Sequence, residues 1–109
     1  AYDLDVWGNL LGRSDHQSAH FHNLGWMSGV YYVAVPDPEP GENPRAGWIE
    51  FNRPGYGIPA LSGEAGIEAI RPEPGMAIVF PSYVWHGTIP FSGTGQRISI
   101  AFDIHPRLT

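Results

Sequence analysis

The residues best suited to chemistry in this chain are histidines. His20 and His22 flank Phe21, and side chains two apart on a strand point to the same face. Two imidazoles projecting in parallel can chelate one cation, and imidazole suits Fe, Zn, Cu and Ni. A third ligand from a distant strand would complete a set on one side of the metal and leave positions open for substrate and oxygen. His86 fits that role, since it follows the Pro74-Gly75 turn and the apolar run Met76-Ala77-Ile78-Val79-Phe80. A chance His-x-His pair on an exposed strand is the alternative that spacing leaves open. His16 lies in the polar turn Ser14-Asp15-His16-Gln17, and His105 sits beside Pro106 near the chain end. Both read as surface residues.

Arg97 is the other candidate. In Arg97-Ile98-Ser99 the Arg and Ser side chains share one strand face. The guanidinium is a rigid fork suited to bidentate capture of a carboxylate, and a neighbouring hydroxyl adds a hydrogen bond. A surface ion pair with one of the eleven acidic residues is the plainer reading. Against it, the strand is otherwise rich in Ile, Ala and Phe, and an Arg there needs a partner that few nearby acids supply.

These groups need elements to position them, and composition narrows which. The chain has 109 residues, room for one domain over residues 1–109 and one modest core. Its 14 Gly and 11 Pro are too many turn-formers for a helix bundle, and with 4 Trp, 5 Tyr and 5 Phe they favour an all-β fold of short strands. The net charge of −5, with six basic residues that are all Arg, argues against nucleic acid or an anionic membrane as the main partner. The absence of Cys excludes disulfides, thiolate metal sites and Cys nucleophiles. No apolar run approaches the roughly 20 residues of a membrane helix, and no signal-peptide layout opens the chain. A cytoplasmic domain is the default expectation.

Strand candidates follow at short intervals. Residues 2–10 alternate, with Tyr2, Leu4 and Val6 on one face and Asp3, Asp5, Trp7 and Asn9 on the other. A short strand is expected around residues 19–22. Residues 26–35 are the longest β-rich run and predict a central strand. Residues 36–44 carry four prolines and predict a surface loop. Strands are expected at 48–51, 67–70, 76–80, 84–89 and 97–104, with a long excursion over 52–66. About eight short strands with little or no helix suggest a jelly-roll or small barrel.

Taken together, these blocks resemble a known family. His20-Phe21-His22, Ser28-Gly29-Val30-Tyr31-Tyr32-Val33, Pro74-Gly75 with Val79-Phe80-Pro81-Ser82, His86 and Arg97-Ile98-Ser99 occur in the order found in Fe(II)/2-oxoglutarate-dependent oxygenases. The similarity is greatest to a bacterial and phage branch related to prolyl hydroxylases, and it runs from about Trp7 to Ile104.

The resemblance implies a double-stranded β-helix (jelly-roll) holding Fe(II) at its open end, with 2-oxoglutarate as co-substrate. It implies His20 as the first iron ligand, His86 as the distal one, and Arg97 with Ser99 as the site for the remote carboxylate of 2-oxoglutarate. Tyr32 falls where related proteins place a Tyr against the co-substrate, though core packing is an equal use for it. The implied reaction hydroxylates a C–H bond of a small-molecule or peptide substrate, releasing succinate and CO2.

Two departures matter. The common motif is His-x-Asp, whereas His22 stands at the Asp position here, so the metal set becomes His20, His22 and His86 with one negative charge fewer. The chain also starts almost directly in a strand, without the N-terminal helices usual in the superfamily. It is therefore expected to be the core of a longer protein or to cover its sheet by association as a homo-oligomer. Two other readings stay open. One is a cupin-type or three-His metal-dependent dioxygenase that does not use 2-oxoglutarate; the other is an inactive jelly-roll binding module.

Overall fold

The computed structural model describes residues 2–11, 21–22, 25–60, 63–91 and 95–107. Among these it contains seven strands and one short 3-10 helix, Gly63–Gly66. The strands are β1 (Tyr2–Leu11), β2 (Met27–Ala34), β3 (Ile49–Phe51), β4 (Glu68–Ile70), β5 (Ala77–Pro81), β6 (His86–Thr88) and β7 (Arg97–Pro106). They form a four-stranded sheet ordered β1-β7-β2-β5 and a three-stranded sheet ordered β4-β3-β6. All the pairings are antiparallel. β1, β2, β5 and β7 thus lie in one sheet and β3, β4 and β6 in the other, a two-sheet antiparallel arrangement consistent with the jelly-roll expected from the sequence.

The expected strand at residues 19–22 is not present where it can be followed. Phe21 and His22 have no strand conformation, and the rest of that segment lies outside the described residues. Residues 82–83 form a turn and 84–85 are not yet in strand conformation, so that strand begins at His86, while β7 runs on through His105. His105 is accordingly a half-buried strand residue whose Nε2 lies 2.8 Å from Asp5 of β1, not a chain-end surface group.

Period-two alternation sorts the four-stranded sheet. In β7 the side chains of Arg97, Ser99 and Asp103 are buried. The registers Arg97↔Leu11, Ser99↔Asn9 and Ser99↔Tyr32 set β1 and β2 beside them. Two residues of β2 oppose one of β7 between Tyr32 and Ala34. Such a bulge bends a strand locally, here next to Arg97.

The core lies between the sheets: Val30 and Tyr32 from β2, Ile49 and Phe51 from β3, and Phe80 from β5. Phe51 and Phe80 meet edge to face at 5.0 Å, joining the two layers. The Pro74-Gly75 turn feeds this core. Gly75 takes φ 86°, a left-handed conformation that costs glycine little. Its N–H then donates to Tyr32 O at 2.8 Å, and Tyr32 N–H donates to Met76 O at 2.9 Å.

The outer face of the same sheet stays apolar and open. Tyr2, Leu4 and Val6 of β1, Tyr31 and Val33 of β2, Val79 of β5 and Ile100 of β7 are all exposed. The apolar face of β1 is therefore the outer one, and its Trp7 and Asn9 face inward to line a cleft.

Candidate functional site

That cleft lies between the sheets and encloses about 430 Å³ including space open to solvent. His22, His86 and Arg97 all line it, together with Trp7 and Ser28.

His22 sits just ahead of β2. Its N–H donates to Ser82 O at 2.9 Å, so the end of β5 fixes its backbone. Its Nδ1 lies 2.8 and 2.6 Å from the two carboxylate oxygens of Asp103. A carboxylate only accepts, so Nδ1 carries the proton, and in the neutral ring Nε2 keeps its lone pair. The Trp7 ring stacks on the imidazole with centroids 5.8 Å apart.

His86 opens β6 in the other sheet and is buried. Its Nδ1 donates to Val84 O at 3.0 Å, which again leaves the lone pair on Nε2. Phe80 packs on this ring at 4.6 Å. The two imidazoles stand 5.0 Å apart, centroid to centroid. Two rings with the same tautomer, each held through Nδ1 by an oxygen acceptor, form a donor set that fits a borderline divalent metal.

His20 and His16 lie outside the described residues. Among the described residues no three His, Cys, Asp or Glu side chains are grouped to hold a metal ion. His22 and His86, whose rings come together in the cleft, are two residues that could hold a metal.

Arg97 is 2% exposed and carries the only buried side-chain N/O atoms without a hydrogen-bond partner among the described residues, Nε and Nη1. Its Nη2 lies 3.4 Å from the Tyr32 hydroxyl, and the guanidinium stands 5.0 Å from the Tyr32 ring centre. A buried cation with two unused donors costs several kcal/mol unless an anion joins it, on the order of magnitude for uncompensated charge. A carboxylate entering the cleft would meet that need, which is the fit required of 2-oxoglutarate. Burial raises the Tyr32 pKa, partly offset by Arg97, so the phenol stays neutral and able to donate. Ser99 is buried on the same strand face.

Sequence reasoning missed Asp103, Ser28 and Ser82 as neighbours of the site. Period two along β7 carried a signal, because 97, 99 and 103 fall on one face and a buried acid in an apolar strand needs partners. The proline-rich surface loop at residues 36–44 does not line this cleft. It instead borders a separate groove with Trp48, Arg71 and Glu73. In the excursion over 52–66 the Tyr56 ring meets Trp85 at 5.7 Å, while Trp85 meets Phe21 at 4.7 Å.

Comparison with known proteins agrees with this fold. Two solved structures share the fold. One is a prolyl-4-hydroxylase from Pseudomonas putida, with TM-score 0.67 and 20% identity, covering 97% of this chain and 53% of that one. The other is an oxidoreductase of the 2OG-Fe(II) oxygenase family from Burkholderia pseudomallei, with TM-score 0.69 and 13% identity, covering 95% of this chain and 43% of that one. The chain thus spans about half the length of these solved relatives. No curated protein matches it. The model of a family defined by Fe(II) and 2-oxoglutarate matches residues 5–103, nearly the whole sequence, and the chain belongs to that 2OG-Fe(II) oxygenase family.

Proposed function

We propose that this chain is the core of an Fe(II)- and 2-oxoglutarate-dependent dioxygenase that hydroxylates a small-molecule or peptide substrate. The observation that carries the reading is Arg97, a buried guanidinium with two unpartnered donors in the same cleft as two imidazoles. A cupin-type site that does not use 2-oxoglutarate has no use for such a group, and Arg97 favours the 2-oxoglutarate reading over it.

In this reading His20, His22 and His86 hold the metal. Bound Fe(II), with 2-oxoglutarate and O2, supplies the oxidation that places one oxygen atom in a substrate C–H bond and the other in succinate, with loss of CO2. The chain's own residues do the positioning. Arg97 binds the remote carboxylate through its free edge, Ser99 and the neutral Tyr32 hydroxyl lie alongside, and Trp7 and Phe80 pack against the imidazoles of His22 and His86. A cytoplasmic location and a homo-oligomer associating through the apolar outer sheet face belong to the same proposal. Among the described residues no helix is long and apolar enough to cross a membrane.

Anaerobic titration with Fe(II), with and without 2-oxoglutarate, tests the reading. A visible charge-transfer band that needs both additions is expected. Binding of Fe(II) with no effect of 2-oxoglutarate would sink it.

A further inference from the structure

Replacing the usual Asp of a His-x-Asp motif by His22 removes a negative charge, yet the structure contains a carboxylate beside that very residue. Asp103 arrives from β7, far along the chain, and is 8% exposed. Its Oδ1 accepts from Ser28 Oγ at 2.6 Å, and both oxygens face His22 Nδ1. Ser28 Oγ lies 2.9 Å from Ser82 Oγ. Because the Ser28 proton goes to Asp103, Ser82 must donate to Ser28. The result is a directed chain, Ser82 to Ser28 to Asp103, with His22 donating from the other side.

Each member comes from a different element: β2 supplies Ser28, β7 supplies Asp103, and Ser82 follows β5. Ser82 also accepts the His22 N–H through its carbonyl, and its own N–H donates to Trp26 O at 3.1 Å. Gly25 leaves the necessary room. A Cβ there would come 2.7 Å from Ser82 Oγ and 3.5 Å from Asp103 Cγ. Asp103 is not itself arranged as a ligand, since its oxygens are engaged by His22 and Ser28.

We infer that Asp103, held by Ser28 and Ser82, is a positioning residue that fixes His22 with Nδ1 protonated, directs Nε2 toward a metal shared with His86, and returns from β7 the negative charge that position 22 lacks. The inference rests on the proposed metal-dependent function and specifies how its unusual ligand is made competent. Carboxylate partners of ligating imidazoles orient the ring and raise its basicity, and their loss commonly costs 10- to 100-fold in metal affinity.

The test combines two readouts. Nitrogen-15 NMR of the metal-free protein reports the His22 tautomer, and anaerobic calorimetry with Fe(II) and with Co(II) reports affinity. Wild type should show Nδ1–H at His22. Asp103→Leu should lose that single tautomer and bind metal about 10- to 100-fold more weakly. Asp103→Asn keeps an acceptor without the charge, so it should retain the tautomer and lose affinity by a smaller factor.

An Nε2–H tautomer in wild type, or wild-type affinity in Asp103→Leu, would overturn the inference. Unchanged affinity in Asp103→Asn would overturn the charge contribution. If Asp103→Leu does not fold, the wild-type tautomer and Asp103→Asn decide alone. If wild type binds neither metal, the oxygenase reading fails, and the tautomer measurement separately decides whether Asp103 positions His22.

Discussion

The guanidinium of Arg97 stands 5.0 Å from the centre of the Tyr32 ring, with Nη2 3.4 Å from the phenolic oxygen, and neither residue has more than 2% of its surface exposed. One aromatic side chain thus serves two purposes. It fills the core and it holds one face of a buried cation whose other donors point to no protein acceptor among the described residues. That combination is stable only with an anion nearby, which makes the pair a source of predictions.

Arg97→Leu should weaken 2-oxoglutarate binding by 2 to 4 kcal/mol, about 30- to 1,000-fold, the usual range for removing one partner of a buried charge pair. The ligand-free protein should become more stable, because an uncompensated buried charge is replaced by an apolar group. Calorimetry with 2-oxoglutarate and thermal melting without it check the two signs. A variant that loses stability while keeping affinity would place Arg97 in the core alone.

Tyr32 yields a pH prediction. Its pKa is raised by burial, so the folded protein keeps the phenolic proton where the unfolded chain, with a value near 10, gives it up. The stability this group contributes is therefore complete below about pH 10 and is lost as pH rises beyond that value. Urea melts between pH 8 and 11 should show the decline, and Tyr32→Phe should flatten it. The affinity for 2-oxoglutarate should stay level from pH 7 to about 9.5, because the hydroxyl remains neutral throughout.

His22→Asp recreates the commoner motif but brings a carboxylate toward Asp103. Like charges at that separation oppose each other, so the single variant should melt earlier than wild type in the absence of metal. Pairing it with Asp103→Asn should restore the melting temperature. A single variant as stable as wild type would show that the two positions do not share a charge.

His86→Ala should abolish metal binding and leave the circular dichroism of the β fold in place. His105→Ala removes a contact to Asp5, whose side chain is 68% exposed. It should leave metal affinity unchanged and cost under about 1 kcal/mol. Reversal of that order in calorimetry would exchange the roles of the two histidines.

Arg53 bridges Glu50 of β3 and Glu64 of the 3-10 helix, with contacts of 2.6 and 3.0 Å. The pairing lowers the Glu64 pKa and raises that of Arg53. The network is exposed, so Arg53→Ala should destabilise by no more than about 1 kcal/mol and leave the cleft intact. Unchanged Fe(II) and 2-oxoglutarate affinities would accompany that small shift in melting temperature.

Local pattern carried much of this protein. Gly, Pro and aromatic content, period-two alternation and turn residues set an all-β chain and placed all seven described strands to within a few residues, because strand propensity and turn chemistry act over short distances. The same pattern marked His22, His86 and Arg97, which the cleft brings together. It could not tell which face of β1 turns inward. Alternation put Tyr2, Leu4 and Val6 on one face and Trp7 and Asn9 on the other, and only pairing with β7 directs Trp7 and Asn9 to the cleft. Nor could it join His22 to Asp103, 81 residues apart in the chain. That contact exists because β7 lies beside β2, and strand order is fixed by how two sheets close over a common core rather than by any local preference.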